Sequence, residues 1–490
     1  MNKSHPLLQP YKPTSDDPFD ATKAAHLLNR AGFGGRPEEI VKVVEMGPQR
    51  AVDWLLDFPD APAEEQSKTD VPDLSSIDGY PKNFREMRSL YVGKTQEERK
   101  AIVQQLQQAN REANGETVNW WMRRMVHGPY PLQEKLTLFW HGHFTTSAKD
   151  ERSAWLMWQQ NELLRQRAAG NFHQFVRAIS RDPAMLDYLN NTQNHKQHPN
   201  ENYARELMEL FTLGIGNYSE DDIKNSARAF TGWTHDGDDF VFRKFDHDEG
   251  TKYFFNRSGN FDGDDIVELI MQHPACAPYV ASKMFKFFVY EDLEDGLAEA
   301  LGNLLRENKY EMRPLIQTML TSKAFYSPRA IGSQIKSPVQ LVIGTMRMLD
   351  LKVPNTRMLM GAMSQMGQVP FAPPNVKGWA GGRMWINTST LFVRYNTASA
   401  MVAGGSLAPM YGRKGGQRPQ QNNLSDPKLA ITESGSSEKI VEAWLSRLIQ
   451  RPVEDEKKKV LIEALGENPR EDSVKKMLQL IVSMPEYQLC

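Results

Sequence analysis

The sequence predicts a mainly α-helical fold: a large irregular helical domain with a small β-hairpin insertion. Three observations point there. Apolar residues recur at three- and four-residue spacing along most of the 490-residue chain, as on helices with one buried face. Helix-capping residues and acids precede these stretches, and Gly or Pro follows them. Residues 239–256 break the period. There Phe240, Phe242 and Phe245 suggest one strand, Asp248-Glu249-Gly250 a turn, and Tyr253-Phe254-Phe255 a second strand, which reads as a hairpin.

Residues 1–19 form a polar, proline-broken N-terminal tail. Asp20 or Thr22 caps a helix to Arg30, stopped by Gly32 and Gly34. Pro37-Glu38-Glu39 opens the next, with Pro early and acids in the first turn. Residues 58–80, rich in Pro, Asp and Ser, read as a loop. A charged, Gln-rich helix over 95–114 is expected to end near Gly115. Helices over 117–128 and 131–141 follow, separated by Gly128-Pro129-Tyr130-Pro131, and 150–168 and 171–180 continue the pattern. A polar loop, 190–199, feeds a strongly amphipathic helix over 199–214. Ser219 with Asp222 resembles a capping box for a helix ending near Gly232. Asp262 or Asp264 caps a helix to Gln272, and Pro274 starts another. Lys336-Ser337-Pro338 begins a helix to about Leu351, followed by a Met-rich helix over 355–367. An aperiodic Pro/Gly/Trp/Asn loop over 370–387 leads into a helix over 389–402. The large helical region thus spans 20–402. Residues 403–435 read as a flexible low-complexity loop, and 436–490 as a C-terminal extension of three helices. No solenoid repeat is visible.

The 40% hydrophobic and 24% charged fractions are those of a soluble globular protein. A net charge of -2 provides no basic field for nucleic acid. No apolar run of about 18 residues suggests a membrane span. The N-terminus lacks the apolar core of a secretory leader, so the expected location is cytoplasmic, or periplasmic or secreted if a leader is missing. Cys276 reads as a buried thiol and Cys490 as a mobile one. Two cysteines make neither a disulfide framework nor a zinc signature. P-loop, GxGxxG, GxSxG and HExxH motifs are absent. Any metal must therefore be held by His, Asp, Glu or Met.

Four segments carry candidate chemistry. At about 100° per residue, Glu201, Asn202, Arg205, Glu206 and Glu209 share one arc of the 199–214 helix, while Tyr203, Leu207 and Phe211 lie on the other. That polar arc is either a solvated face crossed by ion pairs Glu201–Arg205 and Arg205–Glu209, or a site for a metal or a polar substrate. His141 and His143 end a packed helix. They diverge if the helix continues and point together if the chain is extended, which would supply half a metal site. His247 and Asp248, with Lys252 four residues on, can hold a phosphate or transfer a proton, or can form a solvated turn. In the loop 371–387, Trp379 and Trp385 can stack on a flat ligand that Asn375 and Asn387 hydrogen-bond, or can close the core. The Met358–Met366 run reads as core filling rather than a copper site, and Asp262–Asp265 as a helix cap rather than a calcium loop.

Several blocks recur in order: His26–Gly34, Leu132–Phe144 with its Trp-His-Gly-His-Phe end, Glu201-Asn202-x-x-Arg205-Glu206-Leu207 followed by Phe211–Gly214, Ala229–Trp233, His247-Asp248-x-Gly250-x-Lys252, Gly259–Asp265, Lys336-Ser337-Pro338, and Pro373-Pro374-Asn375-Val376-x-Gly378-Trp379. In these the chain resembles a large bacterial family, domain of unknown function number eighteen hundred, over roughly residues 20–402. The resemblance implies a mainly helical fold but no reaction. It also implies a partner similar to phosphatases and sulfatases, and relatives that are often exported.

The residues point first to an enzyme with a polar cleft, a hydrolase or group transferase acting on a carbohydrate or phosphorylated substrate. The catalytic candidates are His141, His143, Glu206, His247 and Asp248. The substrate-binding candidates are Asn202, Arg205, Lys252, Asn375, Trp379 and Asn387. A divalent metal, if used, would fall to His141, His143, Glu206 and Glu209. The alternative is a non-catalytic binding or scaffold protein serving the phosphatase-like partner.

Overall fold

The computed structural model describes residues 5–59, 71–81, 83–149, 153–351, 356–404 and 435–490. The low-complexity stretch expected at 403–435 falls, over 405–434, outside the described residues. Helices dominate, and the described strands form two separate two-stranded antiparallel ribbons.

Local capping explains where many helices start. Thr95 with Glu98, Ser219 with Asp222, and Asp262 with Asp265 each form a reciprocal capping box, which satisfies orphan N–H groups of the first turn. The first of these opens a helix that runs unbroken from Gln96 to His127 through Gly115, where an end was expected. A mid-helix glycine costs only about 1 kcal/mol. Burial of Val118, Trp120, Trp121 and Met125 on the following turns outweighs it.

Two other expectations are corrected. The strands foreseen in 239–256 exist, but they do not pair with each other. Trp233–His235 pairs with Phe240–Phe242, and Lys252–Phe254 pairs with Arg257–Gly259. The tight turn of the second ribbon is Phe255-Asn256, both left-handed at φ 48° and 61°, as hairpin turns matching strand twist require. Asp248-Glu249-Gly250 is a connector between the ribbons. The 199–214 helix changes character midway: Asn202–Glu206 is α-helical, and Leu207–Thr212 is a π-helix.

Two large apolar clusters fill the described body. One contains Phe139, Trp140, Phe144, Phe172, Phe175 and Phe211. The other joins Trp121, Met363, Met366 and Phe371 to the helices Ser437–Leu448, Asp455–Leu465 and Glu471–Val482. Met363 and Met366 are thus ordinary core. Tyr11 and Cys490 are both pinned to the body. Tyr11 donates its N–H to the Thr321 carbonyl at 2.8 Å and packs its ring on Tyr326. Cys490, expected to be mobile, is buried, with backbone bonds to Gln334 and its carbonyl accepting from Arg30.

Candidate functional site at the π-helical turn

A π-turn inserts an extra residue into the helical ladder, so its carbonyls need other partners. Here side chains from two other helices supply them. Tyr279 donates its hydroxyl to the carbonyls of Glu209 and Leu210, at 3.2 and 2.9 Å. The Lys283 ammonium reaches the Leu210 carbonyl at 3.2 Å. His143 Nε2–H donates to the Phe211 carbonyl at 2.9 Å. Thr212 closes the turn by donating to Leu207. Gly214 ends it at φ +79°, where a Cβ would stand 2.9 Å from the Tyr279 ring. Only glycine fits both demands.

Outward from this turn point Glu206 and Glu209. Glu209 accepts a hydrogen bond from the Tyr218 hydroxyl at 3.1 Å. Partial burial raises the Glu206 carboxyl above its usual range. The neighbouring Glu209 charge raises it further, against opposing pulls from Lys377 and Arg205. Burial also pulls the Lys283 ammonium down to about 8. Burial, the hydrogen bond to Glu209 and its charge push Tyr218 up to about 12.

Lys377 belongs to the Pro/Gly/Trp loop, which docks firmly beside this turn. The Phe371 backbone, left-handed at φ 63°, is held at both ends: its N–H donates to His141 Nε2 at 3.0 Å, and its carbonyl accepts from Ala148. A non-glycine residue in this region is strained and persists only where its surroundings fix it. Gly378, at φ +77°, lies so close that a Cβ would sit 2.4 Å from the Gly142 carbonyl. Trp379 packs edge-on against His141 at 5.4 Å, and its buried indole N–H has no partner among the described residues.

The two histidines lie on a continuing helix, Pro131–His143, and so diverge. Both are buried. His141 accepts through Nε2 and His143 donates through Nε2, so the rings hold opposite tautomers. Burial lowers His141 to about 3 and His143 well below its ordinary value, so both stay neutral. The tentative metal set His141, His143, Glu206 and Glu209 is corrected: among the described residues, no group of three or more His, Cys, Asp or Glu is gathered to hold a metal ion. The cause is the unbroken helix, which sends each imidazole to a backbone group.

Arg205 makes its fork with Glu220, at 2.9 Å through each terminal nitrogen, and also reaches Glu201 at 3.1 Å. Of the two pairs foreseen, Glu201–Arg205 forms, but Arg205 turns to Glu220 rather than Glu209, which is bonded by Tyr218 instead. Asn202 donates to the Leu189 carbonyl. Asn375 accepts from the Lys377 N–H and so shapes the loop, while Asn387 caps the helix Thr388–Ala403. Trp385 is core.

His247, Asp248 and Lys252 lie outside this group. His247 is buried, with Nδ1 against the Thr231 carbonyl and its ring on Phe242. Arg228 holds Asp248 by two contacts, at 2.7 and 3.2 Å, which depresses its carboxyl below the usual range. The fully buried Lys252 ammonium donates to the Asp248 carbonyl and to Asn260 Oδ1. A shallow cleft of about 450 Å³ opens beside them, between Lys196, Lys244 and Glu249.

Three of the four segments singled out from the sequence therefore touch: 141–143, 206–214 and 371–379. Sequence reasoning passed over Tyr218, Tyr279, Lys283 and Lys377. Only the i,i+4 spacing of Tyr279 and Lys283 hinted that they share a helix face.

The model of the family described as protein of unknown function (DUF1800) matches residues 26–489, and the chain belongs to that family. The match takes in the C-terminal helices as well as the motif-bearing region. No curated protein and no solved structure matches the chain. Among the described residues, no helix is long and apolar enough to cross a membrane.

Proposed function

We propose that this family member is a hydrolase or group transferase whose acid–base pair is Glu206 and Glu209, acting on a carbohydrate or phosphorylated substrate. The observation that carries this reading is the pair of neighbouring, differently held carboxyls where the α-helix ends at Glu206 and the π-turn carries Glu209. Glu209, held in place by the hydrogen bond from the Tyr218 hydroxyl, is the carboxylate placed to act as the base. Glu206, half-buried beside a second carboxylate, is suited to hold a proton and donate it to a leaving oxygen. Lys377 supplies a cation for an anionic substrate group, and the half-buried Trp379 supplies an aromatic surface beside it. His141 and His143 position the loop and the turn.

Turnover of a panel of nitrophenyl glycosides and phosphate monoesters tests the reading. Activity on at least one class is expected, falling at least a hundredfold in Glu206→Gln with the fold unchanged by circular dichroism. A phosphate ester as the preferred class should also lose activity in Lys377→Ala. Absence of turnover on the whole panel, or equal turnover by Glu206→Gln, sinks the proposal.

A second reading has its own support. Arg228, Asp248, Lys252 and Asn260 bond one another, and Arg205 is committed to Glu220, which suits a rigid scaffold for the phosphatase- or sulfatase-like partner that the family resemblance implies. Co-purification of such a partner with the Glu206→Gln variant, together with no turnover by the parent, would favour it.

A further inference from the structure

A second pocket, of about 230 Å³, lies between the Tyr80 turn, the long helix Gln96–His127, the start of the helix Ala154–Gln166 and the first ribbon. None of its lining belongs to the π-turn site. We propose that it binds a single polyhydroxylated ring, a ligand of monosaccharide size.

The lining supplies the three things such a ring needs. First, it offers a flat face. Trp155 is half-buried, and its indole lies against Trp158 at 4.5 Å between centroids, which fixes its plane. Tyr80 is placed beside it, its hydroxyl accepting from the Trp155 backbone N–H at 3.1 Å. Second, it offers donors. Asn83 and Asn110 each use the side-chain oxygen on a backbone N–H, of Glu86 at 2.9 Å and of Ala154 at 3.1 Å. What each presents to a ligand is therefore its amide NH2. Third, it offers acceptors. Asp187 pairs with His235 Nε2 at 2.9 Å and accepts from the Thr192 hydroxyl at 3.0 Å, which orients the carboxylate. Asp238, in the turn of the ribbon, adds a second carboxylate.

An apolar ligand would leave these amides and carboxylates unmatched at a cost. A phosphate would meet two like charges. A ring with C–H groups on its face and hydroxyls on its rim matches both the aromatic plane and the polar rim. The volume lies below the range of about 300–1,000 Å³ usual for drug-sized ligands, which limits the occupant to one ring.

The test is titration of the full chain, by tryptophan fluorescence and calorimetry, with glucose, galactose, mannose, N-acetylglucosamine, xylose and myo-inositol, and with cyclohexanol as an apolar ring. At least one polyol should saturate in the millimolar range. Affinity should fall about tenfold in Asp187→Asn, as for loss of a charged hydrogen bond, and binding should vanish in Trp155→Ala. Asp238→Asn, at a half-buried turn position, should weaken it and keeps the test sound if Trp155→Ala misfolds. Binding should persist in Glu206→Gln, which separates this site from the π-turn. The proposal is overturned if no polyol binds up to about 100 mM, well beyond what so small a ligand should need. It is equally overturned if cyclohexanol binds as well as the polyols, or if the Asp187 and Asp238 variants bind as the parent does.

Discussion

The π-turn and the ribbon region look alike as sequence, each a short block of acids and bases beside aromatic residues, yet they are bonded in opposite ways. In the ribbon region Arg228, Asp248, Lys252 and Asn260 satisfy one another, and Lys252 is fully buried. At the π-turn the bonding is finished on the inside only. Tyr279, Lys283 and His143 satisfy the backbone carbonyls, whereas the Glu206 carboxyl is left without a hydrogen-bond partner among the described residues and with another acid beside it. A charge that is fully paired is committed to holding the fold together. A half-buried charge without a partner costs stability, and is worth that cost only where something else will pair with it. Motif content does not separate the two cases; completeness of bonding does.

The largest expected effect falls on the finished network. Lys252→Ala removes the cation that bonds the Asp248 carbonyl and Asn260, and should cost about 3 kcal/mol, as breaking a buried charged network does. Denaturant unfolding measures it, and a loss under about 0.5 kcal/mol would erase the contrast between the regions. Next comes the π-turn's own backbone. Gly214→Ala forces a Cβ onto φ +79° and against the Tyr279 ring. A loss of about 1–2 kcal/mol is expected from left-handed strain and crowding. Equal thermal stability of variant and parent would show that the turn is not held in this form.

How much of this was legible in the sequence depends on the range of the interactions. Helix starts were legible because caps are local: Ser219 and Asp222 are three residues apart and declare themselves. The π-turn was not, because its partners Tyr279 and Lys283 lie some 70 positions away and His143 on another helix again. The ribbon pairing was misjudged because Asp248-Glu249-Gly250 has a good turn composition. Arg228 claims Asp248, however, and the real turn is the left-handed Phe255-Asn256, where Asn suits the conformation but Phe gives no turn signal. The direction of His141 and His143 turned on where the helix ends: it was expected to stop at 141 and runs on to His143. The acidic face at Glu206 and Glu209 was legible from helical period alone, while Lys377 opposite it was hidden in a loop without a period.

The third prediction reverses sign between the regions. The raised carboxyl of Glu206 makes the native state hold a proton that the unfolded chain releases at about pH 4. Stability contributed by this group therefore falls as pH rises from that value through the folded pKa, and the cost persists above it. Glu206→Gln should be as stable as the parent below about pH 4 and slightly more stable at pH 7, by less than about 1 kcal/mol because solvent screens a half-buried group. Asp248 works the other way. Arg228 depresses its carboxyl, so its contribution is present above about pH 4 and lost as pH falls through the lower folded value. Paired pH-unfolding curves of Glu206→Gln and Asp248→Asn should therefore diverge from the parent in opposite directions at neutral pH. Divergence in the same direction would remove the distinction.

The smallest effect is expected at Arg205, the residue that looked most like a ligand-binding group. Its side chain is 34% exposed and lies between Glu201 at 36% and Glu220 at 66%. Solvent-screened pairs of this kind contribute about 0.2–1 kcal/mol. Arg205→Lys keeps the charge and loses only the two-point contact with Glu220, so about 0.5 kcal/mol is expected in thermal or denaturant unfolding. Because screening by salt shrinks exposed pairs, the difference from the parent should diminish further between about 0.05 and 0.5 M NaCl. Turnover, if the Glu206–Glu209 pair carries it, should change little, since the Arg205 fork is occupied by Glu220 on the next helix and is not aimed at a substrate. A loss beyond about 1.5 kcal/mol, unchanged by salt, would mean that Arg205 belongs with the finished networks. A large fall in turnover at unchanged stability would mean instead that Glu220 releases it when substrate arrives, and the site would then extend one helical turn towards Glu201.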